Sequence, residues 1–361
     1  MQQRSQVLTA RRYIPHDFEK PDHLSDFMAG CTDSFSLDSL VLNGTTGGWA
    51  LDSSWRHKNE NRAAVTFLIT INEGMHAVPG CVLLSANTRT ATLVKFLRDV
   101  KIQLRRRAIA ITQDGATIEA RSPEQVERIR EGARKIVDDE YRMSHFMIDK
   151  CLSELYALRE VFPQVPIRLC QFHAVQAIMR LECDSGDRGS PMRLSMELKI
   201  QIIYIFRELQ RCRTWEGWGK AKQTFLTSLE MLVIERCEAQ WNYLLSYFEQ
   251  NWFTEEWIPI FTDIGLPSDQ TRDGPWNTNN WVERAFRTFD GVFLMNRENK
   301  RLDRLVIVIL NDFLPYYQHW QPDDREANRR LVELNYLAYQ IWESDLVTYE
   351  GDGLYTVVVP A

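Results

Sequence analysis

Three acidic residues sit where a rigid element would deliver a carboxylate to an edge. Asp52 lies in Trp49–Trp55 (WALDSSW) on an apolar run, and Asp149 lies in His145–Lys150 (HFMIDK) directly after another. Glu283 lies in Asn277–Arg284 (NTNNWVER), in the first turns of a helix. An Asp at the end of a core strand is held near the rim of a sheet. Two of them on neighbouring strands, completed by a Glu from a packed helix, form a hard oxygen set suited to Mg2+ or Mn2+. Two such ions, about 3.5–4 Å apart, stabilise both the attacking and the leaving oxygen of an in-line phosphoryl displacement. Each residue also has a plainer reading, because strand-end Asp residues cap turns and a helix-start Glu complements the helix dipole. Asp114 (ITQDG) follows an apolar run as well, but Asp-Gly is ordinary turn chemistry and it ranks below Asp149.

A second constellation is Leu169–His173 (LCQFH), with Cys170 and His173 three apart where a strand passes into a helix. Thiolate and imidazole at that spacing are half of a zinc site. No CxxC or HxxxH pair completes it, so the sequence expectation is no complete structural zinc site. The alternatives are a buried strand cysteine and a histidine that caps the helix or points towards the acidic residues. A Cys–His nucleophile has no other support in the chain. Thr278 with Asn277, Asn279 and Asn280 makes a polar run suited to an N-cap. On a helix, Asn279 and Asn280 share the face of Glu283 and would orient it or meet a phosphate.

Arg284 and Arg287 follow at once, placed for phosphate contacts that position DNA without reading its sequence. The chain carries a net charge of −6, so it does not bind nucleic acid by overall charge. Its basic residues are nevertheless clustered. Lys95–Arg107 sets six basic side chains against Asp99 alone, and Arg284–Arg304 sets six against three acids. Arg105, Arg106, Arg107, Arg284, Arg287, Lys300 and Arg301 are the candidate DNA contacts, with solvated helix faces as the alternative. Trp241, Trp252 and Trp257 are expected to pack a helical block, base stacking being the other reading.

The elements needed to position these residues can be read in order. Trp49–Asp52, Val65–Ile71 and Val78–Leu84 read as three adjacent antiparallel strands, the last two joined through Asn72–Gly74. Thr90–Leu104 has one apolar helical face. A charged stretch over 112–144 reads as an insertion with a helix from about Pro123 to Asp138. Strand, helix, strand and helix follow: His145–Ile148, Cys151–Phe162, Pro166–Cys170 and a helix near His173. Residues 192–258 are all-helical in pattern, and helical spacing resumes at 282–293, 302–313 and 331–341. The reading is α/β: a ribonuclease-H-like mixed five-stranded sheet flanked by helices, with an all-helical insertion before Glu283 and C-terminal helices. Its parts are an N-terminal extension (1–45), the first part of the core (46–190), the insertion (191–275), the last core helix and its successor (276–320), and a C-terminal helix and tail (321–361).

Length and composition agree with this. At roughly 150 residues per domain, 361 residues make about two domains or one elaborated fold. With 44% hydrophobic and 25% charged residues, disorder is excluded as the general state. The apolar run Val306–Leu310 is far short of the ~20 residues a membrane span needs, so no membrane partner is expected. The first residues lack the apolar core of a secretory signal. Seven scattered cysteines without a CxxC point to a reducing compartment rather than a disulfide framework.

Residues 147–178, MIDKCLSELYALREVFPQVPIRLCQFHAVQAI, closely resemble the central block of Mutator-like element transposases, particularly fungal ones. Asp149, Phe162–Pro163, Cys170 and His173 match that block. LDSSWRHKNENRAAVTFLITINEGMHAVPGCVLLS resembles the family's first-Asp region and NTNNWVERAFRTFDGVFLMNRENKRLDRL its final block, so the resemblance covers about residues 47–320. It implies a DDE transposase with metal ligands Asp52, Asp149 and Glu283 and two Mg2+ or Mn2+ ions. Such an enzyme cleaves transposon ends and joins the freed 3′-OH to target DNA. The implied partner is double-stranded DNA, the implied location nuclear, and a homodimer one form of assembly. The chain departs from the family in lacking an N-terminal zinc-binding ligand set. It also has no Cys-x-Cys after GDGLYTVVVPA, which resembles the strand leading into a C-terminal zinc motif. The expectation is a truncated or diverged core, the alternative a domesticated DNA-binding or regulatory protein without catalysis.

Overall fold

The computed structural model describes residues 6–10, 27–55, 58–59, 62–74, 76–113, 115–120, 122–181, 194–233, 238–266, 278–297, 300–319, 347–351 and 354–357. The chain divides into two compact units, Met1–Tyr316 and Tyr317–Ala361. The expected helix at 331–341 lies outside the described residues. The second unit contains one antiparallel hairpin, Val347–Gly351 with Leu354–Val357.

The first unit is α/β, a mixed sheet flanked by helices. Its strands are β1 (Gln6–Ala10), β2 (Met28–Thr32), β3 (Trp49–Ser54), β4 (Ala64–Ile71), β5 (Ala77–Ser85), β6 (Phe146–Ile148) and β7 (Ile167–Leu169), in the order β1-β2-β5-β4-β3-β6-β7. From β3 to β5 the pairing is antiparallel, whereas β6 runs parallel to β3 and β7 parallel to β6. All eight residues of β4 are buried, so it is apolar and β-branched without alternation, as a strand covered on both faces must be. Asn72 closes the β4–β5 hairpin from both sides. Its N–H donates to the His76 carbonyl (3.0 Å), and its side-chain oxygen accepts from the His76 N–H (2.9 Å). Where β3 meets β6, Gly48 has φ +63°, and a Cβ there would stand 2.6 Å from the His145 carbonyl. Only glycine allows that approach.

Alternate positions of the sheet face different helices. Trp49, Leu51, Leu68, Cys81 and Leu83 share one core with α1 (Ser34–Gly44), α2 (Thr90–Thr112) and α4 (Leu152–Val161). Phe67, on the other face, stacks on Phe286 of α10 (Asn280–Thr288) with centroids 4.2 Å apart. It also meets Phe289 and Phe313 from the π-helical turns that prolong α10 and α11 (Leu302–Val308). Asp52 pairs across the strands with Phe67, and so emerges on the α10 face.

The remaining helices among the described residues are α3 (Pro123–Val137), α5 (Gln171–Met179), α6 (Met196–Gln210), α7 (Trp215–Val233), α8 (Glu238–Asn251), α9 (Ile258–Phe261) and α12 (Leu314–His319). The α6–α9 block is built around Phe206, whose ring touches Phe225, Phe248, Trp252 and Phe261. Trp252 and Trp257 are buried in the core and Trp241 packs against that core, so the tryptophans serve packing as expected. This block and the α1/α2/α4 layer form one continuous core.

Two expectations are corrected. The sheet has seven strands rather than five, because β2 pairs with β5 and β1 with β2. The segment read as an N-terminal extension therefore belongs in part to the fold. Its helix α1 was illegible because it is buried nearly all round, Ser36, Asp38, Ser39 and Asn43 included, so no polar face alternates with an apolar one.

Candidate metal centre

β3 and β6 are parallel neighbours, so their C-terminal ends open on the same rim of the sheet. Asp52 comes from β3 and Asp149 directly follows β6. β7 ends at Leu169, and Cys170 caps α5, which carries His173 one turn on. Glu283 lies in the first turn of α10. The phenylalanine stack on Phe67 fixes that helix against the sheet, as does Lys58, whose buried ammonium lies 2.6 Å from both oxygens of Asp290 and 5.1 Å from the Phe286 ring. Nothing in the spacing of the sequence pairs Lys58 with Asp290.

Asp149 and Glu283 converge on His173. Its Nδ1 is 2.8 Å from Asp149 Oδ1, and its Nε2 is 3.3 Å from Glu283 Oε1. Burial opposes charging of the imidazole, but Asp149 and Cys170 together outweigh it and raise the histidine to about 10, so it is an imidazolium at neutral pH. Asn279 is fully buried and donates from Nδ2 to Asp149 Oδ1 (3.2 Å), while its backbone N–H donates to Cys170 Sγ (3.1 Å). Asp52 accepts from the Ser53 N–H at 2.7 Å. Its carboxyl is pushed up to about 7, first by burial and then by the charge of Asp149, with Glu283 adding to it.

A fourth carboxyl was missed in the sequence. Glu154, in the first turn of α4, is 2% exposed and feels both Asp52 and Asp149. Burial, then those two charges, holds it well above the usual carboxylate range. Ser53 Oγ reaches its Oε1 at 3.5 Å and Thr66 Oγ1 at 2.8 Å, while Oε2 has no partner among the described residues. Because Ser53 alternates with Asp52, Glu154 stands behind the strand, on the face opposite α10. The available signal was an acid on a helix face otherwise occupied by Leu155 and Leu158.

The other expected residues divide. Asn280 is exposed and joins the site by neither side-chain atom, its backbone N–H bonding Thr278 Oγ1 instead. Arg287 is exposed and reaches Glu283 Oε2 at 3.3 Å. Arg284 is exposed over the Trp281 ring. Lys300 is half-buried, and Arg301 is exposed but engaged with Asp303. Arg106 is exposed, and Arg105 pairs with Asp139. Arg107 corrects the DNA-contact expectation: it is 8% exposed and forms a two-pronged pair with Asp38 (2.8 and 2.6 Å). It sits on α2, on the face away from Asp52, and serves the fold. Asp114 and Asn277 lie outside the described residues.

Among the described residues, Asp149, Cys170 and His173 each bring one ligand atom within 4.8 Å of the others, a grouping that could hold a metal ion. No protein-family profile and no curated protein matches the chain. No helix among the described residues is long and apolar enough to cross a membrane.

Proposed function

We propose that this chain is the catalytic core of a DDE transposase of the Mutator-like kind, acting on double-stranded DNA in the nucleus. The observation that carries the reading is the meeting of Asp149 and Glu283, far apart in sequence, at one imidazole on the rim of a mixed sheet, with Asp52 near enough to feel the charge of both. The strand order β5-β4-β3-β6-β7, three antiparallel and two parallel, is that of a ribonuclease-H-like core and adds support. Asp52, Asp149 and Glu283 would hold two Mg2+ or Mn2+ ions. When bound, such ions supply Lewis-acid stabilisation to the attacking and leaving oxygens of phosphoryl transfer.

The protein's own groups prepare that site. Asn279 fixes the orientation of Asp149 through its amide. His173 keeps a proton at the nitrogen facing Glu283 and so holds the acidic groups together until cations replace that charge. Arg287, touching Glu283 with the rest of its guanidinium exposed, and Arg284 beside it are free to meet phosphates flanking the reacting one. Lys150 turns away from the site, its ammonium 4.9 and 5.2 Å from the Trp252 and Trp257 rings, which ties the strand that delivers Asp149 to the helical insertion.

The test is strand joining with Mn2+, pre-cleaved element-end DNA and a plasmid target. Wild type is expected to join, and Asp149→Asn to lose at least about a thousandfold, several kcal/mol of transition-state stabilisation. Salt-sensitive DNA binding with no joining, indifferent to metal and to the substitution, would overturn catalysis and leave a regulatory DNA-binding protein. Cutting without joining would leave a nuclease.

A further inference from the structure

Cys170 and His173 do more than flank the carboxylates. One ligand atom from each of Asp149, Cys170 and His173 lies within 4.8 Å of the others. The edges of a tetrahedron around zinc with sulfur, nitrogen and oxygen donors are about 3.3–3.7 Å, so small side-chain rotations would close the set. We propose that these three residues bind a thiophilic divalent cation of the Zn2+ class, distinct from the hard ions assigned to Asp52, Asp149 and Glu283.

Two orphaned polar atoms point to that ligand. His173 Nδ1 is buried against Asp149 with no hydrogen bond aligned on it, despite the 2.8 Å approach, so its axis is not aimed at the carboxylate oxygen. Asn279 is 0% exposed, its amide nitrogen on Asp149, and its Oδ1 also lacks a partner among the described residues. A cation between sulfur, imidazole and carboxylate would satisfy Nδ1 and leave its fourth corner to water or to Asn279 Oδ1.

The surroundings already engage the sulfur. The Asn279 N–H at the start of α10 donates to Sγ, and Thr278 Oγ1 lies 3.9 Å from it. The first turn of a helix presents positive potential to a sulfur placed there. Sulfur and imidazole together select zinc-like ions over magnesium. A carboxylate has two oxygens, so Asp149 is able to serve this cation and a hard one at once. The sequence showed two of the three ligands, and the third arrives from the adjacent parallel strand.

The experiment is titration of the chelator-treated full chain with Co2+, followed by absorption. The expected result is one equivalent of tetrahedral Co2+ with a sulfur-to-cobalt charge-transfer band, bleached by Zn2+ and untouched by excess Mg2+. Cys170→Ser should abolish the band, and His173→Gln, at a half-exposed position that tolerates the change, should abolish tetrahedral binding. Cys151→Ser should keep both, and Asn279→Ala should weaken binding about 10- to 100-fold. Circular dichroism of each variant identifies any that fails to fold, and the others then decide. No charge-transfer band in wild type, or an unchanged band in Cys170→Ser or in His173→Gln, would overturn the proposal. Asp52→Asn should retain the cobalt spectrum while losing strand joining, so this site and the transposase reading fail separately.

Discussion

Two of the places where the described residues bury carboxylates treat them in opposite ways. Between α1 and α2, Asp38 is 1% exposed and meets Arg107 through two short hydrogen bonds, with the guanidinium also donating to the Thr117 carbonyl. Burial lifts the Asp38 carboxyl and Arg107 pulls it back. There Asp38 has a guanidinium of its own. At the sheet rim, Asp149 and Glu283 meet His173, with Asp52 beside them and Glu154 behind the strand, and burial together with mutual repulsion raises both Asp52 and Glu154. The first arrangement completes itself within the fold. The second leaves acid in excess, which destabilises the chain alone and suits it to accept cations.

That contrast can be broken at either end. The largest expected effect is at the rim: Glu283→Gln should lower metal-dependent strand joining at least about a thousandfold, measured with matched amounts of folded protein. Next is the matched pair. Arg107→Ala leaves Asp38 buried and alone, and urea unfolding should show a loss of about 3–5 kcal/mol. The double variant Asp38→Leu/Arg107→Met should recover most of it, since a well-packed apolar replacement for a buried pair is often neutral.

A smaller effect tests the unmatched charge. The folded pKa of Asp52, about 7, lies above its ordinary 3.8, so the native state holds a proton that the unfolded chain releases. Its contribution to stability is full below pH 3.8 and is lost as pH rises through about 7. In chelator, Asp52→Asn should therefore gain stability over wild type as pH climbs through that window. A difference that stays flat would place Asp52 in solvent. A comparable effect of opposite sign is expected at His145, 2% exposed beneath Gly48 and lowered from 6.5 to about 3 by burial and then by Arg168. Its contribution is present above pH 6.5 and lost as pH falls towards 3, so thermal melts of wild type should drop with acid more steeply than those of His145→Gln.

The sequence carried much of this design where periodicity and chemistry coincide. β3, β4 and β5 were visible through their apolar runs and the Asn72–Gly74 turn, and Asp52, Asp149 and Glu283 through their places after strands or at a helix start. α1 was hidden by burial on every side. β1 and β2 lacked a sustained pattern, and only pairing, β2 with β5 and β1 with β2, makes strands of them. Glu154 was hidden because a buried acid on an apolar helix face looks like a surface residue until the opposing strand is in place. Arg107 read as part of a basic patch because its partner, Asp38, lies on a helix that the pattern did not reveal. Pairings between distant segments are not written in local spacing, and they account for most of what was missed.

The most direct test of the central claim is Mn2+ binding to the chelator-treated chain, followed by calorimetry and by thermal unfolding. The account predicts that Mn2+ binds and stabilises wild type, by about 2.7 kcal/mol at a hundredfold excess over Kd, and that Asp149→Asn loses that stabilisation. Absence of binding, or stabilisation undiminished in Asp149→Asn, would contradict it.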